Sequence, residues 1–372
     1  MKILMLVSSM HAGGAERVAA TLVSAWAERG DTVTLMPTFS EKGSCFYPLS
    51  DKVELLWLAD VVGERSAGPI TAIKRLWAMR RVIRERRPDV VVSFLTNVNV
   101  AAIIATFGLN VPVIACERTN PVADKTVGSR WRKLRRFFYP RAAMVTVQAH
   151  ATAKPFAQDV PGIERLEVIP NPLPPELLDA PLTTVGQAEP GRKRLIAMGR
   201  MVPDKQFDLL IDVFASLAPE HPDWDLWIWG EGPLREQLET QVRTLGLEGR
   251  VQMPGRTAEP WVEQARGEAF VLSSAVEGFP NVLLEAMAVG LPAVSFDCTS
   301  GPEEITRQGQ DALLVPPGDR DQLRAALASL MQDAALRARL GEQGARSVRR
   351  RYSLQAVLDE WDDLFAKVRR TA

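Results

Sequence analysis

The sequence predicts an α/β protein with two doubly wound domains facing each other across a cleft, and with additional helices at the C-terminus. Three observations support this prediction. The 372 residues are too many for one ordinary core and suit two domains of about 150–200 residues each. Short apolar runs alternate with helical patterns in both halves, as in βαβ units around a parallel sheet. A proline-rich stretch without periodicity separates the halves.

The first domain is expected to span residues 1–171. Its first helix should run from about Ala15 to Gly30, because glycine suits the residue that follows a helix. Apolar runs of strand length predict five buried strands, at residues 2–8, 31–36, 89–94, 111–116 and 143–148.

The aperiodic stretch 172–191 is expected to be the interdomain linker, and the second domain to span 192–352. The alternation restarts there and predicts strands at 194–199, 225–229, 269–273, 292–296 and 312–315. Helical patterns follow near 320–348 and 354–369. We expect residues 353–372 to form a C-terminal helix that can pack back towards the first domain.

Composition indicates an ordinary globular protein, with 46% hydrophobic and 24% charged residues. No apolar run approaches the roughly 20 residues that a bilayer crossing requires, and the N-terminal MKILMLVSSM resembles a buried strand more than a signal peptide. The three cysteines, Cys45, Cys116 and Cys298, are odd in number and far apart, so neither a disulfide framework nor a zinc site is expected. The cytoplasm is the expected compartment.

The net charge of zero hides an asymmetry between the two halves. Residues up to Pro172 contain 23 Lys and Arg against 15 Asp and Glu, a net charge of +8, and the remaining residues contain 22 against 30, a net charge of −8. This asymmetry suggests that the first half meets an anionic partner, either a membrane surface or nucleic acid.

The first strand is followed by the turn SSMHAGGAER, in which Gly13 and Gly14 precede a helix. Free N–H groups at a helix N-terminus can bind an anion, and glycine lets the backbone approach it closely. The spacing is not that of a dinucleotide fingerprint, so a merely tight connection is the alternative. His11 on the same turn is a candidate for proton transfer or acceptor binding, although a surface histidine is the commoner case.

The segment GRMVPDKQF follows the first strand of the second domain and places Arg200 and Lys205 beyond the carboxyl end of that strand. Ligands of open α/β sheets bind at this end. Arginine can bind phosphate oxygens bidentately and lysine adds a point charge, so the pair suits a diphosphate. Two solvated loop charges are the alternative.

The segment EGFPNVLLEAMAV contains Glu277 and Glu285, which are eight positions apart. Within one helix they would be about 12 Å apart along the axis and about 80° out of line, which excludes an acid pair on one face. Pro280 suits a first helical turn, so Glu277 is expected in the preceding loop and Glu285 in the helix. The N–H groups of Gly278, Phe279, Asn281 and the first turn would then form a phosphate site. Because its neighbours are apolar, Glu285 is expected to face a cleft rather than bulk solvent.

Asp223-Trp224-Asp225 has the DxD spacing of a metal-binding motif. It begins a strand, which is the wrong end of an α/β sheet for a ligand. We interpret it as a turn and predict neither a metal ion nor a cofactor.

These motifs resemble those of one family. EGFPNVLLEAMAVGLPAV is similar to the E-x7-E region of retaining family 4 glycosyltransferases, which have the GT-B fold of two Rossmann-like domains. GRMVPDK, GGAER and VIPNP resemble other segments of that family, and the similarity covers most of the chain in order and spacing. The sequence also resembles bacterial transferases that build exopolysaccharide or lipid-linked oligosaccharide repeats.

The resemblance implies that a hexosyl group moves from a UDP- or GDP-sugar to a lipid-linked or growing glycan without a metal ion. Arg200 and Lys205 would hold the donor diphosphate, Glu277 the hexose hydroxyls and Glu285 the ribose. Arg200, Lys205 and Glu277 would be the catalytic residues. The remaining donor-binding residues would be Gly13, Gly14, Gly278, Phe279, Pro280 and Asn281.

The sequence departs from this family at CERTNP, residues 116–121, where many relatives carry a histidine. Glu117 and Arg118 occupy that neighbourhood and are, with His11, the candidates for acceptor binding. Two alternatives to the transferase remain: a nucleotide-sugar epimerase or phosphorylase of the same fold, and a non-enzymic sugar-nucleotide or membrane-binding module.

The segment RWRKLRRFFYPR, residues 130–141, interleaves basic and aromatic residues, as interfacial helices on anionic lipid do. A solvated helix face with aromatic residues in the core is the alternative. No nucleic-acid module is recognised, so we expect peripheral association with the inner face of the cytoplasmic membrane. The expected contact residues are Arg130, Trp131, Arg132, Lys133, Arg135 and Arg136.

Overall fold

The computed structural model of the chain describes residues 1–39, 45–63, 68–118, 128–180, 182 and 192–370. The chain divides into two compact units. Unit 1 comprises Met1–Asn171 and Val357–Ala372, and unit 2 comprises Pro172–Ala356. Among the described residues, no helix is both long and apolar enough to cross a lipid bilayer.

Unit 1 contains a parallel sheet of seven strands in the order β3-β2-β1-β4-β5-β6-β7. The strands are β1 (Lys2–Val7), β2 (Thr32–Pro37), β3 (Glu54–Leu55), β4 (Val90–Phe94), β5 (Val113–Cys116), β6 (Met144–Val147) and β7 (Leu166–Val168). The helices before residue 171 are α1 (Gly14–Glu28), α2 (Leu58–Val62), α3 (Pro69–Arg86), α4 (Thr96–Thr106), α5 (Ser129–Phe138) and α6 (His150–Asp159).

Unit 2 contains a parallel sheet of six strands in the order β10-β9-β8-β11-β12-β13. The strands are β8 (Lys193–Met198), β9 (Trp224–Trp229), β10 (Val251–Gly255), β11 (Ala269–Leu272), β12 (Ala293–Phe296) and β13 (Leu313–Val315). The helices are α7 (Phe207–Leu217), α8 (Arg235–Thr244), α9 (Pro260–Ala265), α10 (Asn281–Ala288), α11 (Pro302–Ile305), α12 (Arg320–Gln332), α13 (Ala334–Arg351) and the start of α14 (Leu354–Arg369).

Each of the ten strands predicted from apolar runs is present. The sequence analysis did not predict β3, β7 and β10, all of which lie at an edge of their sheet. Edge strands are covered less completely, so they need no continuous apolar run, and β10 even contains Pro254. The helical segment expected near 320–348 is two helices, because the Asp333 side chain accepts a hydrogen bond from the backbone N–H of Leu336 and caps the start of α13.

The expected linker begins within a folded unit. Leu173 and Leu177 are buried in the core of unit 2, and the backbone N–H of Leu173 donates to the carbonyl of Tyr352 at 2.8 Å. The first part of the 172–191 stretch therefore belongs to unit 2. Residues 181 and 183–191 lie outside the described residues.

The greater part of α14 packs in unit 1. The indole rings of Trp361 and Trp26 meet edge to face at 5.3 Å, and Phe365 contacts both. Arg29 pairs with Asp362 at the rim of this contact. Because Trp26 and Trp361 are fully buried, the C-terminal helix is an integral part of the unit 1 core.

Candidate active site

In the unit 2 sheet, β8 has β9 on one side and β11 on the other, and successive strands then move outward in opposite directions. The reversal creates a crevice between the carboxyl ends of β8 and β11, the position where open α/β sheets bind ligands. Two of the segments singled out from the sequence begin at this crevice. Residues 199–207 follow β8, and residues 273–281 follow β11 and lead into α10.

Lys205 and Glu277 meet across this crevice. The Lys205 ammonium donates to Oε1 of Glu277, and the Ser274 hydroxyl donates to the same oxygen at 2.7 Å. The two side chains are 18% and 11% exposed, so the pair is largely shielded from water but still reachable. Lysine has three N–H donors and a carboxylate has a second oxygen, so each partner keeps hydrogen-bonding capacity for a ligand.

The backbone around the pair is fixed by two further contacts between the same loops. The Ser273 hydroxyl donates to the carbonyl of Lys205 at 2.8 Å, and the backbone N–H of Ala275 donates to the carbonyl of Asp204 at 2.8 Å. A short 3-10 helix, Pro203–Lys205, sets the direction of the lysine. Arg200 follows β8 as predicted, so it lies at the carboxyl ends of the strands, and its side chain is exposed.

The loop from Glu277 to Pro280 is held by the segment that follows β12. The Ser300 hydroxyl donates to the carbonyl of Glu277. Gly301 has φ +99°, and a Cβ atom there would lie 2.7 Å from Cδ of Pro280. Glycine is therefore favoured at position 301 for two reasons: the backbone has a positive φ, and the ring of Pro280 leaves no room for a Cβ atom.

The helix α10 begins at Asn281, with Pro280 as its N-cap residue. This confirms that Glu277 lies in the loop and Glu285 in the helix. One detail of the predicted phosphate site is wrong, because the backbone N–H of Asn281 donates to the carbonyl of Phe279 at 2.9 Å. That N–H is not available to a ligand in this conformation. Gly278 is half-buried, and Phe279 packs against Tyr352 in the core.

Glu285 is 2% exposed. The alternative that it is a solvated charge on the helix surface is therefore excluded, since its carboxylate lies within unit 2. Its expected contact with a ribose remains a prediction.

The Cys298 thiol lies close to the Lys205–Glu277 pair. Burial first, and then the nearby Glu277 carboxylate, raise the pKa of Cys298 to about 12. The thiol is therefore uncharged at neutral pH and is not a nucleophile. It acts as a small apolar wall beside the ion pair.

Asp223 and Asp225 lie at the opposite edge of the sheet. Trp224 pairs in register with Lys193, the first residue of β8, so the DxD segment is at the amino end of the strands. Asp223 pairs with Lys193, whereas Asp225 pairs with Arg192 and with Arg250. The interpretation as a turn leading into a strand is confirmed, and both carboxylates are engaged with cations.

In unit 1, Gly13 is the N-cap residue of α1 and Gly14 its first residue. The end of the helix is covered by the chain's own Glu16, which accepts a hydrogen bond from the Ser9 hydroxyl at 2.8 Å. A Cβ atom at Gly13 would lie 2.2 Å from Oε2 of Glu16. The carboxylate therefore occupies the place where an anion would bind, and it would have to turn away to admit one. His11 is exposed on the same turn.

Glu117, an expected acceptor-binding residue, is instead part of a buried network. Its carboxylate is 1% exposed and accepts hydrogen bonds from the Thr96 hydroxyl and the Tyr139 hydroxyl. Asn99 in turn donates to the Tyr139 oxygen at 2.8 Å and to the carbonyl of Cys116 at 3.0 Å. Burial and then the Glu117 charge hold the pKa of Tyr139 well above its usual value. The geometry does not support acceptor binding by Glu117, which positions the end of β5.

Arg118, the next residue, is also buried but is not paired with a carboxylate in the described residues. Its guanidinium lies 3.7 Å from the ring centroid of Phe94, and Nη1 donates to Oδ1 of Asn171 at 2.8 Å. The rest of the CERTNP segment, residues 119–121, lies outside the described residues.

The basic segment forms α5, but its residues do not share one environment. Arg135, expected at a membrane surface, is fully buried: it pairs with Asp159 at 2.6 Å and lies over the ring of Phe156. That expectation is wrong for Arg135, because the helix turns this residue towards the core. Arg136 is exposed but also binds Asp159. Of the six expected membrane contacts, four have exposed side chains and are not paired with Asp159: Arg130, Trp131, Arg132 and Lys133.

The sequence analysis missed the residues that support Glu277. Ser274 binds its carboxylate, and Ser300 and Gly301 hold its loop. A signal was available, since these small polar residues directly follow β11 and β12, where the strand order places the crevice.

Two family models match this chain, one in each half. Residues 13–172 match the family described as Glycosyl transferase 4-like domain, and residues 184–347 match the family described as Glycosyl transferases group 1. The two matches are consecutive and contain every strand of the two sheets except β1.

Two relatives are similar over nearly the whole chain. The lipopolysaccharide core biosynthesis glycosyltransferase LpsD of Rhizobium meliloti is 30% identical over 95% of this chain and 95% of its own. The GalNAc-alpha-(1->4)-GalNAc-alpha-(1->3)-diNAcBac-PP-undecaprenol alpha-1,4-N-acetyl-D-galactosaminyltransferase of Campylobacter jejuni is 26% identical over 99% of each. An exopolysaccharide phosphotransferase of Streptomyces coelicolor is 38% identical over 55% of this chain, and this chain spans only 21% of that protein.

Solved structures share the fold. Sucrose-phosphate synthase from Thermosynechococcus elongatus superposes with a TM-score of 0.86 at 18% identity, covering all of both chains. The Anabaena protein HepE in complex with UDP gives a TM-score of 0.80 at 20% identity, covering 98% of this chain and 100% of its own. The chain therefore belongs to the group 1 glycosyltransferases, with a glycosyl transferase 4-like domain in its first half and the GT-B fold.

Proposed function

We propose that this glycosyltransferase moves a hexosyl group from a UDP- or GDP-sugar to a lipid-linked or growing glycan, with retention of anomeric configuration and without a metal ion. The observation that carries the proposal is the Lys205–Glu277 pair at the crevice between β8 and β11. The pair places an ammonium group that can bind phosphate next to a carboxylate that can accept hydrogen bonds from sugar hydroxyls.

In the proposed mechanism, negative charge develops on the departing diphosphate as the bond to the sugar breaks. Lys205 and Arg200 stabilise that charge, and Glu277 orients the hexose through the oxygen that Lys205 and Ser274 leave open. Cys298 is a neutral thiol and takes no part as a nucleophile. The diphosphate itself is then the group best placed to accept the proton of the incoming hydroxyl.

A UDP-sugar donor is supported by the complex of HepE with UDP, although that protein shares only 20% of its sequence with this one. A GDP-sugar remains the other candidate. A lipid-linked acceptor is supported by the Campylobacter jejuni relative, which acts on a glycan carried by diphospho-undecaprenol. The relative from Rhizobium meliloti supports lipopolysaccharide as the product class.

Peripheral binding to the inner face of the cytoplasmic membrane is part of the proposal. Besides the exposed basic residues of α5, the first turns of α3 present Ile70, Ile73 and Trp77 to solvent, with exposures of 57–70%. These three residues lie within about 60° of arc on the helix. An apolar stripe beside basic residues suits an interface with anionic lipid.

The test is release of nucleoside diphosphate that requires both a nucleotide sugar and a membrane-derived lipid acceptor. Glu277→Ala should abolish this release while the far-UV CD spectrum stays unchanged, because the residue lies in a loop. Glu263→Ala, which removes the ion pair between Glu263 of α9 and the exposed Arg266, is the control and should retain full activity. An unchanged turnover number for Glu277→Ala would defeat the assignment.

The same assay separates the alternatives. An epimerase would convert the nucleotide sugar without acceptor and without releasing diphosphate. A phosphorylase would require inorganic phosphate. A non-enzymic module would bind the donor and release nothing. NMR of the product linkage decides whether configuration is retained.

A further inference from the structure

Arg118 is buried and charged, and one edge of its guanidinium group, formed by Nε and Nη2, makes no hydrogen bond to the described residues. We call it the unused edge. Its Nε and Nη2 atoms are inaccessible to solvent and have no hydrogen-bond partner among the described residues, whereas Nη1 is bound to Asn171. The residue as a whole is 8% exposed, so the guanidinium lies just below the surface of unit 1. Buried N–H groups without acceptors are rare and costly, and one on a charged group is more costly still.

The two unused atoms belong to the edge of arginine that binds oxyanions best. The N–H bonds of Nε and Nη2 are nearly parallel and match the two oxygens of a carboxylate or phosphate. Two arginines of unit 2 show this edge filled by a carboxylate. Arg307 donates from Nε and Nη2 to Asp311 at 2.7 and 2.6 Å, and Arg192 donates from the same atoms to Asp225. In Arg118 the same two atoms face no carboxylate of the residues that the structure describes.

The surroundings hold this fork in place without neutralising it. The Phe94 ring lies against one face of the guanidinium and Asn171 fixes its far end, so the side chain has little freedom. Burial lowers the pKa of Arg118 to about 10, and the interactions that oppose this shift come from the Cys116 thiol rather than from a carboxylate. The arginine is therefore still charged at neutral pH, and no carboxylate of the described residues pairs with it.

The position of Arg118 relates it to the sheet. Phe94 ends β4 and Arg118 follows β5, and these are neighbouring parallel strands on one side of the strand-order reversal of unit 1. Side chains beyond the carboxyl ends of such strands are the ones that meet ligands.

We propose that the Nε–Nη2 edge of Arg118 is a binding site for a phosphate group of a substrate. The site itself follows from the geometry of unit 1. Its assignment to the diphosphate of a lipid-linked acceptor, rather than to the donor, rests on the proposed function. Arg118 is then a positioning residue for the acceptor, because it holds a phosphate rather than the reacting hydroxyl.

The experiment is calorimetric titration of the full-length protein with inorganic pyrophosphate, with and without saturating UDP. Arg118→Gln should weaken binding by about tenfold or more, the usual effect of losing charge-assisted hydrogen bonds. Arg118→Lys keeps the charge but loses the fork, and it should weaken binding to an intermediate degree. Arg141→Gln is the matched control, since Arg141 also lies over a phenylalanine ring, that of Phe137, but is exposed.

The arms of the titration identify the source of the phosphate. If Arg118→Gln weakens pyrophosphate binding while UDP is bound and leaves UDP affinity unchanged, the site takes an acceptor phosphate. If it weakens UDP binding itself, the site takes the donor diphosphate. Pyrophosphate binding equal to that of the unmodified protein in both Arg118 variants would overturn the proposal.

Thermal stability gives a second readout. Arg118→Gln without ligand should melt at the same temperature as the unmodified protein or above it, because an unbalanced buried charge is removed. Pyrophosphate should raise Tm of the unmodified protein and not that of the variant. A large fall in Tm for both variants would show a purely structural arginine and reject the site. If pyrophosphate binding depends on Arg118 but the protein has no transferase activity, the phosphate site is supported and only the proposed function is rejected.

Discussion

At the scale of single residues, the Lys205–Glu277 ion pair is the point at which the proposed function places the donor. The pair is mostly buried, and a buried pair contributes little net stability once desolvation is counted. Its position between the carboxyl ends of β8 and β11 is the one where open α/β sheets bind ligands.

Lys205→Met should lower the turnover number about 100-fold, as expected when a group that stabilises developing charge is removed. The measurement is the rate of diphosphate release at saturating donor. Lys193→Met is the matched control, because Lys193 lies at the amino end of the same strand and pairs with Asp223. A similar loss of rate in both variants would show a general structural effect and contradict the role of Lys205.

A second ion pair, in unit 1, serves stability. Asp159 binds the buried Arg135 and the exposed Arg136. Burial alone would raise the pKa of Asp159, but the hydrogen bonds from Arg136 and Arg135 outweigh burial and lower it below its ordinary value of 3.8. A carboxyl group with a lowered pKa stabilises the folded state above the unfolded pKa and loses that effect as pH falls through the folded pKa.

Asp159→Asn should therefore lower the free energy of unfolding at pH 7 by about 2 kcal/mol, somewhat less than a fully buried pair because Asp159 is partly exposed. The difference from the unmodified protein should shrink below about pH 4. Urea unfolding across this pH range measures both effects. Glu164→Gln, an exposed carboxylate near by in sequence, should change neither; a pH-independent loss for Asp159→Asn would exclude the ionic origin.

At the scale of elements, the active-site loop depends on the loop beside it. Gly301 after β12 supports Pro280 before α10, and Ser300 holds the carbonyl of Glu277. The position of Glu277 is thus set by two strand-to-helix connections rather than by its own segment.

Gly301→Ala should weaken donor binding at least about tenfold, because its Cβ would displace Pro280 and with it the Glu277 loop. Gly318→Ala is the matched control: Gly318 also has a positive φ, +75°, but nothing lies within 4 Å of its Cβ position. Both variants should lose about 1 kcal/mol of stability from backbone strain. Isothermal titration with UDP compares them, and equal affinities would show that the contact with Pro280 has no functional effect.

At the scale of the whole molecule, the opposite net charges of the two halves favour unit 1 as the part that would meet the membrane in the proposed function. The exposed apolar and basic side chains of α3 and α5 both lie in unit 1, which contains the positively charged half. Basic residues near anionic lipid contribute about 1 kcal/mol each.

Replacing Arg130, Arg132 and Lys133 together by Glu should reduce sedimentation with phosphatidylglycerol liposomes by about 100-fold or more in apparent affinity. The control reverses three exposed arginines of α13 in unit 2, Arg339, Arg346 and Arg350, and makes the same change in net charge. Arg135 and Arg136 are left intact because they anchor α5 to Asp159. Equal losses in both triple variants would mean that net charge, and not this surface, determines binding.

Local sequence was enough for much of this protein. Apolar runs located every strand that has a neighbouring strand on each side, because a buried parallel strand must be apolar along its length. The proline at 280 separated a loop glutamate from a helical one, because its ring excludes it from a helix interior. Motif spacing also led to the right family.

Only the tertiary structure decided how charged residues are used. Arg135 and Arg130 lie on one basic helix, yet one is buried against Asp159 and the other is exposed. Glu117 and Arg118 are adjacent, yet one is hydrogen-bonded within a buried network and the other keeps an unused edge. Sequence fixes which groups carry charge, but the environment and partners of a charge come from residues distant along the chain, brought close only by folding.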